Sequence, residues 1–305
     1  MFSKNTISKS TGNCSDKIKK FKAVLDAADA VVIGAGSGLS TAAGFNYFGE
    51  RFHKYFQDFI DKYGIRDMYS GGFYPFPSAE IQWAWWSRHI WLNRYVKAPK
   101  PVYSELLDRV KDMDYFVLTT NVDHQFQQAG FNKKRLFYTQ GDYGLFQCSK
   151  PCHNETYDNK EIVRDMIEAQ GFVIEGDDSL TIPVGAEIAM EVPEKLVSRC
   201  PVCKEEMTVN LRCDDSFVED EGWHRAADCY SEFIRRHKNS NIVYLELGVG
   251  MNTPVIIKYP FWQYTAQNLK AYYVCLNLNE AYVPDEIADR SISIDGDILD
   301  VIKKL

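Results

Sequence analysis

The 305-residue sequence has no surplus of basic residues, no long apolar run and no internal repeats. Lysine and arginine together number 35 against 42 aspartates and glutamates, giving a net charge of −7. The acidic residues are spread along the chain, so there is no basic face of the kind a nucleic-acid binder needs, and that class is excluded. No window approaches the roughly 20 apolar residues of a membrane span. The N-terminal stretch "MFSKNTISKSTGNCSDK" is polar and lacks an apolar core of signal-peptide length. A cytoplasmic location without membrane attachment is therefore expected. Apolar residues make up 45% of the chain, enough for a real core. The length suits one large domain or two small ones at about 150 residues each.

What is present is an alternation of strands and helices. After a loose, flexible tail (1–14), "SDKIKKFKAVLDAAD" has helical periodicity behind a Ser15 cap. "AVVIG" (30–34) is a short buried strand that runs into glycines. "PVYSELLDRVKDM" is a helix opened by Pro101, and "YFVLTT" (115–120) is a strand. "HRAADCYSEFIRRHKN" is a helix followed by the strand "IVYLELG". "TPVIIKYPFWQYTAQN" reads as a helix start followed by an irregular apolar segment, and "AYYVCLN" as a strand. The chain closes on "ISIDGDILDVIKKL", a strand, a turn and a helix capped near Asp295 or Asp297.

Continuous apolar strands between helices predict an α/β fold with a doubly wound, Rossmann-like parallel sheet covered on both faces. Ligands of such sheets bind at the carboxyl ends of the strands. These strands all end in small or polar residues: Gly34 to Gly38, Thr119 to Asp123, Gly248 to Thr253, Asn277 and Asp297. Two segments break the alternation. Residues 45–98 are rich in aromatics and predict a helical insertion, while residues 148–213 carry paired cysteines. The Rossmann-like part then comprises 15–44, 99–147 and 214–305, and the insertions build a smaller second module.

Four of the eight cysteines are scattered: Cys14, Cys213, Cys229 and Cys275. The other four form two tight pairs, Cys148-x3-Cys152 and Cys200-x2-Cys203. A reducing compartment favours metal over disulfide for such pairs. Four thiolates make a closed tetrahedral zinc site with no position open to water, so the zinc is expected to be structural. The spacing between the pairs is longer than the roughly 15–20 residues of a standard zinc ribbon. The plain alternative is two unrelated pairs of buried thiols.

"VVIGAGSGLSTAAGF" (31–45) is a strand, a glycine-rich turn and a helix start. Glycines allow a sharp turn and close approach to a pyrophosphate, and helix-terminal amides favour an anion. The spacing is neither G-x-G-x-x-G nor a P-loop, so nucleotide binding competes here with a bare strand-to-helix turn. In "LTTNVDHQF" (118–126), Asn121 and Asp123 stand at a strand end, where they could cap a helix or hold an amide or ribose hydroxyls. Among the six histidines only His124 lies just beyond a strand end. The stripe "WAWWSRHIW" reads as core and channel wall.

Taken in order, these pieces resemble the sirtuin family. "GAGSGLSTAAGF" resembles its opening G-A-G-x-S-x-x-x-G-I motif, "TTNVDHQF" its T-Q-N-x-D-x-L, and "TQGDYG" sits where the family has its catalytic His-Gly. The cysteine pairs resemble its zinc module. "LELGVGMNTPV" resembles the loop that holds the adenosine ribose and phosphates, and "CLNLN" and "IDGDILDVI" resemble the segments that clasp the adenosine. The resemblance implies NAD as co-substrate. It also implies contacts from Gly34, Ala35, Gly36, Leu39, Ser40 and Phe52 on the first motif and the segment after it. Asn121, Val122, Asp123 and Gln140 would take the nicotinamide side, with Asp123 receiving the nicotinamide amide and Phe52 covering the ring. Gly248, Val249, Gly250, Asn252, Asn277, Leu278, Asp297 and Ile298 would take the adenosine side. Arg51 or Arg212 would answer the phosphate or acceptor charge.

The departures carry the functional reading. The family histidine is Gln140, its P-D-F-R is "NYFGERF", and the first Gln of T-Q-N is Thr120. This pattern resembles the bacterial macrodomain-linked (class M) branch. That branch implies ADP-ribosylation of a lipoyl carrier protein rather than deacylation, and a macrodomain ADP-ribosyl hydrolase as a partner. Histidine suits proton transfer because its pKa lies near neutrality. Glutamine has one acceptor oxygen and two amide donors and takes no proton, but it can still bridge ribose hydroxyls. Asn121 and Gln140 are thus the expected catalytic pair of an NAD-dependent protein mono-ADP-ribosyltransferase. The competing readings are a residual deacylase or NAD hydrolase, with His124 or water taking up the chemistry, and a non-catalytic NAD or ADP-ribose sensor.

Overall fold

A computed structural model describes residues 7–9 as backbone, and 14–251 and 254–305 in full. Six strands form one parallel sheet: β1 (Ala30–Ala35), β2 (Tyr115–Thr119), β3 (Leu136–Tyr138), β4 (Ile242–Leu247), β5 (Tyr272–Asn277) and β6 (Ser291–Asp295). Their order across the sheet is β6-β5-β4-β1-β2-β3. The chain moves outward from β1 to β3, then returns to the other side of β1 for β4 to β6. The reversal falls between β1 and β4, which is where doubly wound sheets open a crevice at their carboxyl edge. Register holds that edge level, since Ala35 pairs with Leu247 on one side and Thr119 on the other.

All residues of β1, β2 and β4 are buried, as their unbroken apolar runs require. Alternate side chains then serve two separate cores. Val31, Ile33, Val117 and Leu245 pack against helices α1 (Cys14–Asp26), α5 (Val102–Val110) and α8 (Ile298–Ile302). Val32, Phe116, Leu118 and Tyr244 face α6 (Glu221–Arg236) and α7 (Lys258–Gln267). Between α1 and α5 come α2 (Ser37–Ala42), α3 (Glu50–Tyr63) and α4 (Ala79–Ile90).

A third core joins the two insertions. Phe52, Phe56 and Phe59 form one stripe of α3 at i, i+4, i+7 spacing and meet Trp85 of α4, while Trp83 stacks on Phe146. Val163, Met166 and Ile167 of the helix Lys160–Ala169, and the strand Met207–Leu211, complete it. The helical insertion and the cysteine-bearing segment therefore share one hydrophobic interior. Inside it Arg88, 1% exposed, makes a bidentate pair with Asp58 at 2.8 Å and caps the carbonyls of Tyr55 and Ala189. His89 lies against Tyr47, Trp86 and Tyr143, and burial pulls its pKa down to about 3.

Two expectations shift. Part of the tail is ordered as a strand, since Ile7–Lys9 pairs antiparallel with Tyr282–Pro284. The segment from Pro254 also runs the other way round: residues 254–257 are the irregular part, and the helix follows as α7. Pro260 does not break that helix because it sits in the first turn, where its missing N–H has no partner to lose. Among the described residues, no helix is long and apolar enough to cross a membrane.

Candidate active site

The glycine turn after β1 packs onto the turn after β4. Gly36 N–H donates to Leu247 O at 3.0 Å, and Gly38 N–H to Gly248 O at 2.9 Å. A Cβ on Gly36 would stand 2.8 Å from Gly248 O, and one on Gly38 would stand 2.7 Å from the Gly248 Cα. Gly248 itself has φ 61°, in the left-handed region. The glycines thus let two backbones touch across the switch point. Gly34 is different: a Cβ there would strike Ile257 and Phe261 of α7, so its smallness serves packing beneath the turn. The helix that follows, α2, is only six residues long, so any anion at this turn would rely on the local amides more than on a long helix dipole.

Buried Asn121 and Asp123 and half-buried Ser40 form one cluster at the end of β2. Thr119 Oγ1 donates to Ala35 O at 3.0 Å and accepts the Asn121 N–H at 3.0 Å, which fixes the chain as it leaves the strand. Asn121 Nδ2 then reaches Gly36 O at 3.0 Å and Ser40 Oγ at 3.1 Å. Ser40 Oγ donates a short hydrogen bond to Asp123, which also accepts Gln125 N–H at 3.2 Å, and Tyr103 Oη lies 3.0 Å from Ser40 Oγ. Burial raises the Asp123 pKa, and the hydrogen bond from Ser40 only partly counters it. The first motif and the Asn-x-Asp motif, 81 to 85 residues apart, are thereby tied through both side chains and backbone.

Gln140 stands on the turn between β3 and the strand Gly141–Cys148, half-buried, its carbonyl accepting Arg212 N–H at 3.0 Å. Its side-chain amide bonds no other side chain among the described residues. Gly141 behind it has φ 94°, and a Cβ would fall 2.0 Å from Asn210 O, so only glycine fits. A narrow recess with no room for a water-sized group lies beside this turn, lined by Asn121, Val122, Asp123, His124, Tyr138, Gly141 and Asp142. It is too small for a whole dinucleotide.

Sequence reasoning missed Asp142 and Arg94. Asp142 is buried beside His124: Nδ1 of His124 lies 2.5 Å from one carboxylate oxygen, and Arg94 Nε donates to the other at 2.6 Å. Asp142 could have been noticed one residue past Gly141. Arg94 lies in an irregular helical turn, Trp91–Tyr95, and nothing in its neighbourhood of sequence points to it.

The remaining expected residues divide. Asn277 Nδ2 holds Val249 O at 3.0 Å, fixing the second glycine loop. Gly250 is half-buried on that loop, and Asn252 lies outside the described residues. Asp297 caps α8 by accepting Asp300 N–H. The side chains of Leu39 and Ile298 lie in the first core and that of Val249 in the second, against α7, so these residues could offer a ligand only backbone. Leu278 is exposed. Phe52, expected over the nicotinamide, is buried against Phe56 and Trp85 because it begins the apolar stripe of α3. Neither expected arginine is free in this structure. Arg51 donates to Asn93 Oδ1 and Leu92 O, and burial lowers its pKa to about 10. Arg212 pairs with Glu219 and stacks over Phe217.

The four paired cysteines converge. Their sulfurs all lie within 4.8 Å of one another, with Cys148–Cys203 at 3.5 Å and Cys152–Cys200 at 3.6 Å. Zinc–sulfur bonds of about 2.3 Å in a tetrahedron put sulfurs about 3.8 Å apart, so the donor set fits structural zinc. His153 Nδ1 lies 3.0 Å from Cys152 Sγ, and its Nε2 lies 2.8 Å from Tyr157 Oη, a second layer around the cluster.

No family model matches the chain. It is 36% identical over 282 residues to a protein ADP-ribosyltransferase of Staphylococcus aureus, covering 92% of this chain and 84% of that protein. It is 31% identical over 291 residues to a probable bifunctional ADP-ribose hydrolase/ADP-ribosyltransferase of Fusarium oxysporum f. sp. cubense. That match covers 90% of this chain but 45% of the fungal protein, so the chain spans under half its length. Among solved structures it resembles Sir2Tm bound to a propionylated peptide, with TM-score 0.54, 17% identity, and coverage of 94% and 96% of the two chains. A Sir2 structure addressing the mechanism and regulation of those enzymes gives TM-score 0.54 at 18% identity, covering 95% and 96%. At such identity the likeness shows the fold alone.

Proposed function

This chain belongs to the protein ADP-ribosyltransferase family, built on the sirtuin fold, and we propose that it splits NAD at the nicotinamide–ribose bond and passes ADP-ribose to an acceptor protein. The C1′–N bond breaks with its electron pair leaving on nicotinamide. Positive charge develops on the ribose, and an acceptor nucleophile closes on C1′. Asn121 and Gln140 hold the nicotinamide ribose, and Asp123 accepts the nicotinamide amide N–H. The turns at Gly36–Ser40 and Gly248–Gly250, with Asn252, carry the phosphates and adenosine ribose. Asn277 and Asp297 stand on the adenosine side. Cys148, Cys152, Cys200 and Cys203 hold zinc, which keeps the small module folded.

One observation carries this reading: an amide, Gln140, immediately precedes Gly141, which lines the same recess as Asn121 and Asp123. An amide bridges sugar hydroxyls but cannot take the proton that acyl migration requires, and losing a general base lowers a rate by about a hundred- to ten-thousand-fold. Positioning survives while deacylation does not. A lipoyl carrier protein is the acceptor we favour, a macrodomain hydrolase is the enzyme we expect to reverse the modification, and the cytoplasm is the expected site of action.

The test is intact mass spectrometry of lipoylated and unlipoylated carrier proteins after incubation with NAD and this protein. Wild type should add one ADP-ribose and Gln140→Ala little. Equal labelling by both removes Gln140 from the mechanism. Nicotinamide release without acceptor points to a hydrolase, and no release at all points to an NAD sensor.

A further inference from the structure

We propose that His124, oriented by Asp142, is the general base that deprotonates a protic acceptor group as it attacks C1′, the task that Gln140 cannot perform. This rests on the transferase reading above.

The geometry is that of a histidine prepared for proton transfer. Asp142 accepts from His124 Nδ1 at 2.5 Å, from Arg94 Nε at 2.6 Å and from Gly144 N–H at 2.7 Å. Three donors on a carboxylate whose side chain is 4% exposed leave it little freedom to move. A carboxylate can only accept from Nδ1, so the neutral imidazole is held as the Nδ1–H tautomer and its lone pair is on Nε2. The His124 side chain is 22% exposed, and it lines the same recess as Asn121, Asp123 and Gly141. Tyr138 is the remaining titratable group on that wall. Burial would push the Asp142 pKa up, but the His124 hydrogen bond and the Arg94 charge outweigh it and hold Asp142 below the usual carboxylate range. The carboxylate is therefore ionised and ready to stabilise an imidazolium.

His124 has φ 61°, in the left-handed region, which histidine, like asparagine and aspartate, enters more readily than most side chains. A purely structural pairing of this turn with the strand Gly141–Cys148 would be served as well by a residue with no titrating ring.

In the step, the acceptor oxygen or nitrogen gives its proton to Nε2 while its electron pair forms the bond to C1′. The C1′–N pair leaves with nicotinamide, and the positive charge passes from the ribose to an imidazole paired with Asp142, with Asp123 lining the same recess. Asp142 and Arg94 are positioning residues.

The experiment uses the full chain, NAD and a lipoylated carrier protein, reading nicotinamide release and carrier mass across pH. His124→Gly suits the left-handed backbone and should fold, and His124→Asn, also tolerant of that region, is the second variant. Both should lose about a hundred- to ten-thousand-fold in rate and lose the acidic limb of the wild-type pH profile. Imidazole added to His124→Gly should restore part of the rate. Asp142→Asn should fall similarly, because an amide can hold the wrong tautomer. Zinc content should be unchanged throughout. Wild-type rates in His124→Gly, or loss without imidazole rescue and with the acidic limb intact, overturn the base assignment alone. Absence of nicotinamide release by the wild type overturns the transferase reading and this assignment with it.

Discussion

Gly36 and Gly248 meet back to back at the switch point of the sheet, so close that a Cβ on Gly36 would lie 2.8 Å from the Gly248 carbonyl oxygen. At Gly248 a Cβ would come within 2.5 Å of the Gly38 backbone, on a residue already at φ 61°. Gly248→Ala thus forces both overpacking and left-handed strain. Each is worth about 1–3 kcal/mol. We expect a destabilised protein with NAD binding lost in calorimetry. Unchanged binding and melting would show that the turns separate freely.

Beneath the same turn, Lys258 Nζ lies 2.5 Å from Glu246 Oε1, both side chains fully buried, with Tyr273 Oη and Cys275 Sγ also on the carboxylate. Lys258→Met strands a buried charge and should destabilise by about 3–5 kcal/mol, whereas replacing both partners with apolar residues should cost far less. Burial alone would lower the Lys258 pKa, but Glu246 raises it above the ordinary 10.5. The pair's contribution is therefore full below 10.5 and lost as pH climbs through the higher folded value. Chemical denaturation of wild type and the single variant should converge only in strong alkali. A constant gap across that range contradicts the linkage.

Asp123 also has a raised pKa, but there the charged form is the disfavoured one. Its pKa is raised by burial, so ionising it opposes folding, and that penalty grows as pH rises from the ordinary carboxylate range through the folded pKa. Asp123→Asn should melt higher than wild type at neutral pH, with the advantage vanishing in acid, while nicotinamide release falls. A lower melting temperature at neutral pH sinks the argument from desolvation.

Removing zinc should act at a distance from the cleft. The helical insertion and the cysteine segment share one core, so chelation or Cys200→Ser should expose amides over 52–95 as well as 143–209 to hydrogen exchange. The parallel sheet should stay protected. Metal analysis should find one zinc per wild-type chain. Exchange limited to the cysteine loops would mean the third core stands without metal.

Much of this was legible in the order of residues. Runs such as Ala30–Ala35 and Ile242–Leu247 are apolar at every position because they are covered on both faces, and that pattern survives without a structure. Cysteine pairing is equally local. The start of α7 is less legible: an apolar run from Pro254 carries no mark that the helix begins only at Lys258, with Pro260 in its first turn.

Residue order alone was enough for the sheet, the two cysteine pairs and the amide at position 140, because period, spacing and residue identity are properties of the chain. Tertiary structure decided which groups meet. Asp142 faces His124, and Arg94 comes in from another element to hold that carboxylate, while Arg51 and Phe52 are drawn into the second module. Such meetings depend on how the chain returns on itself, and a hydrogen bond between residues 48 positions apart leaves no mark in either neighbourhood.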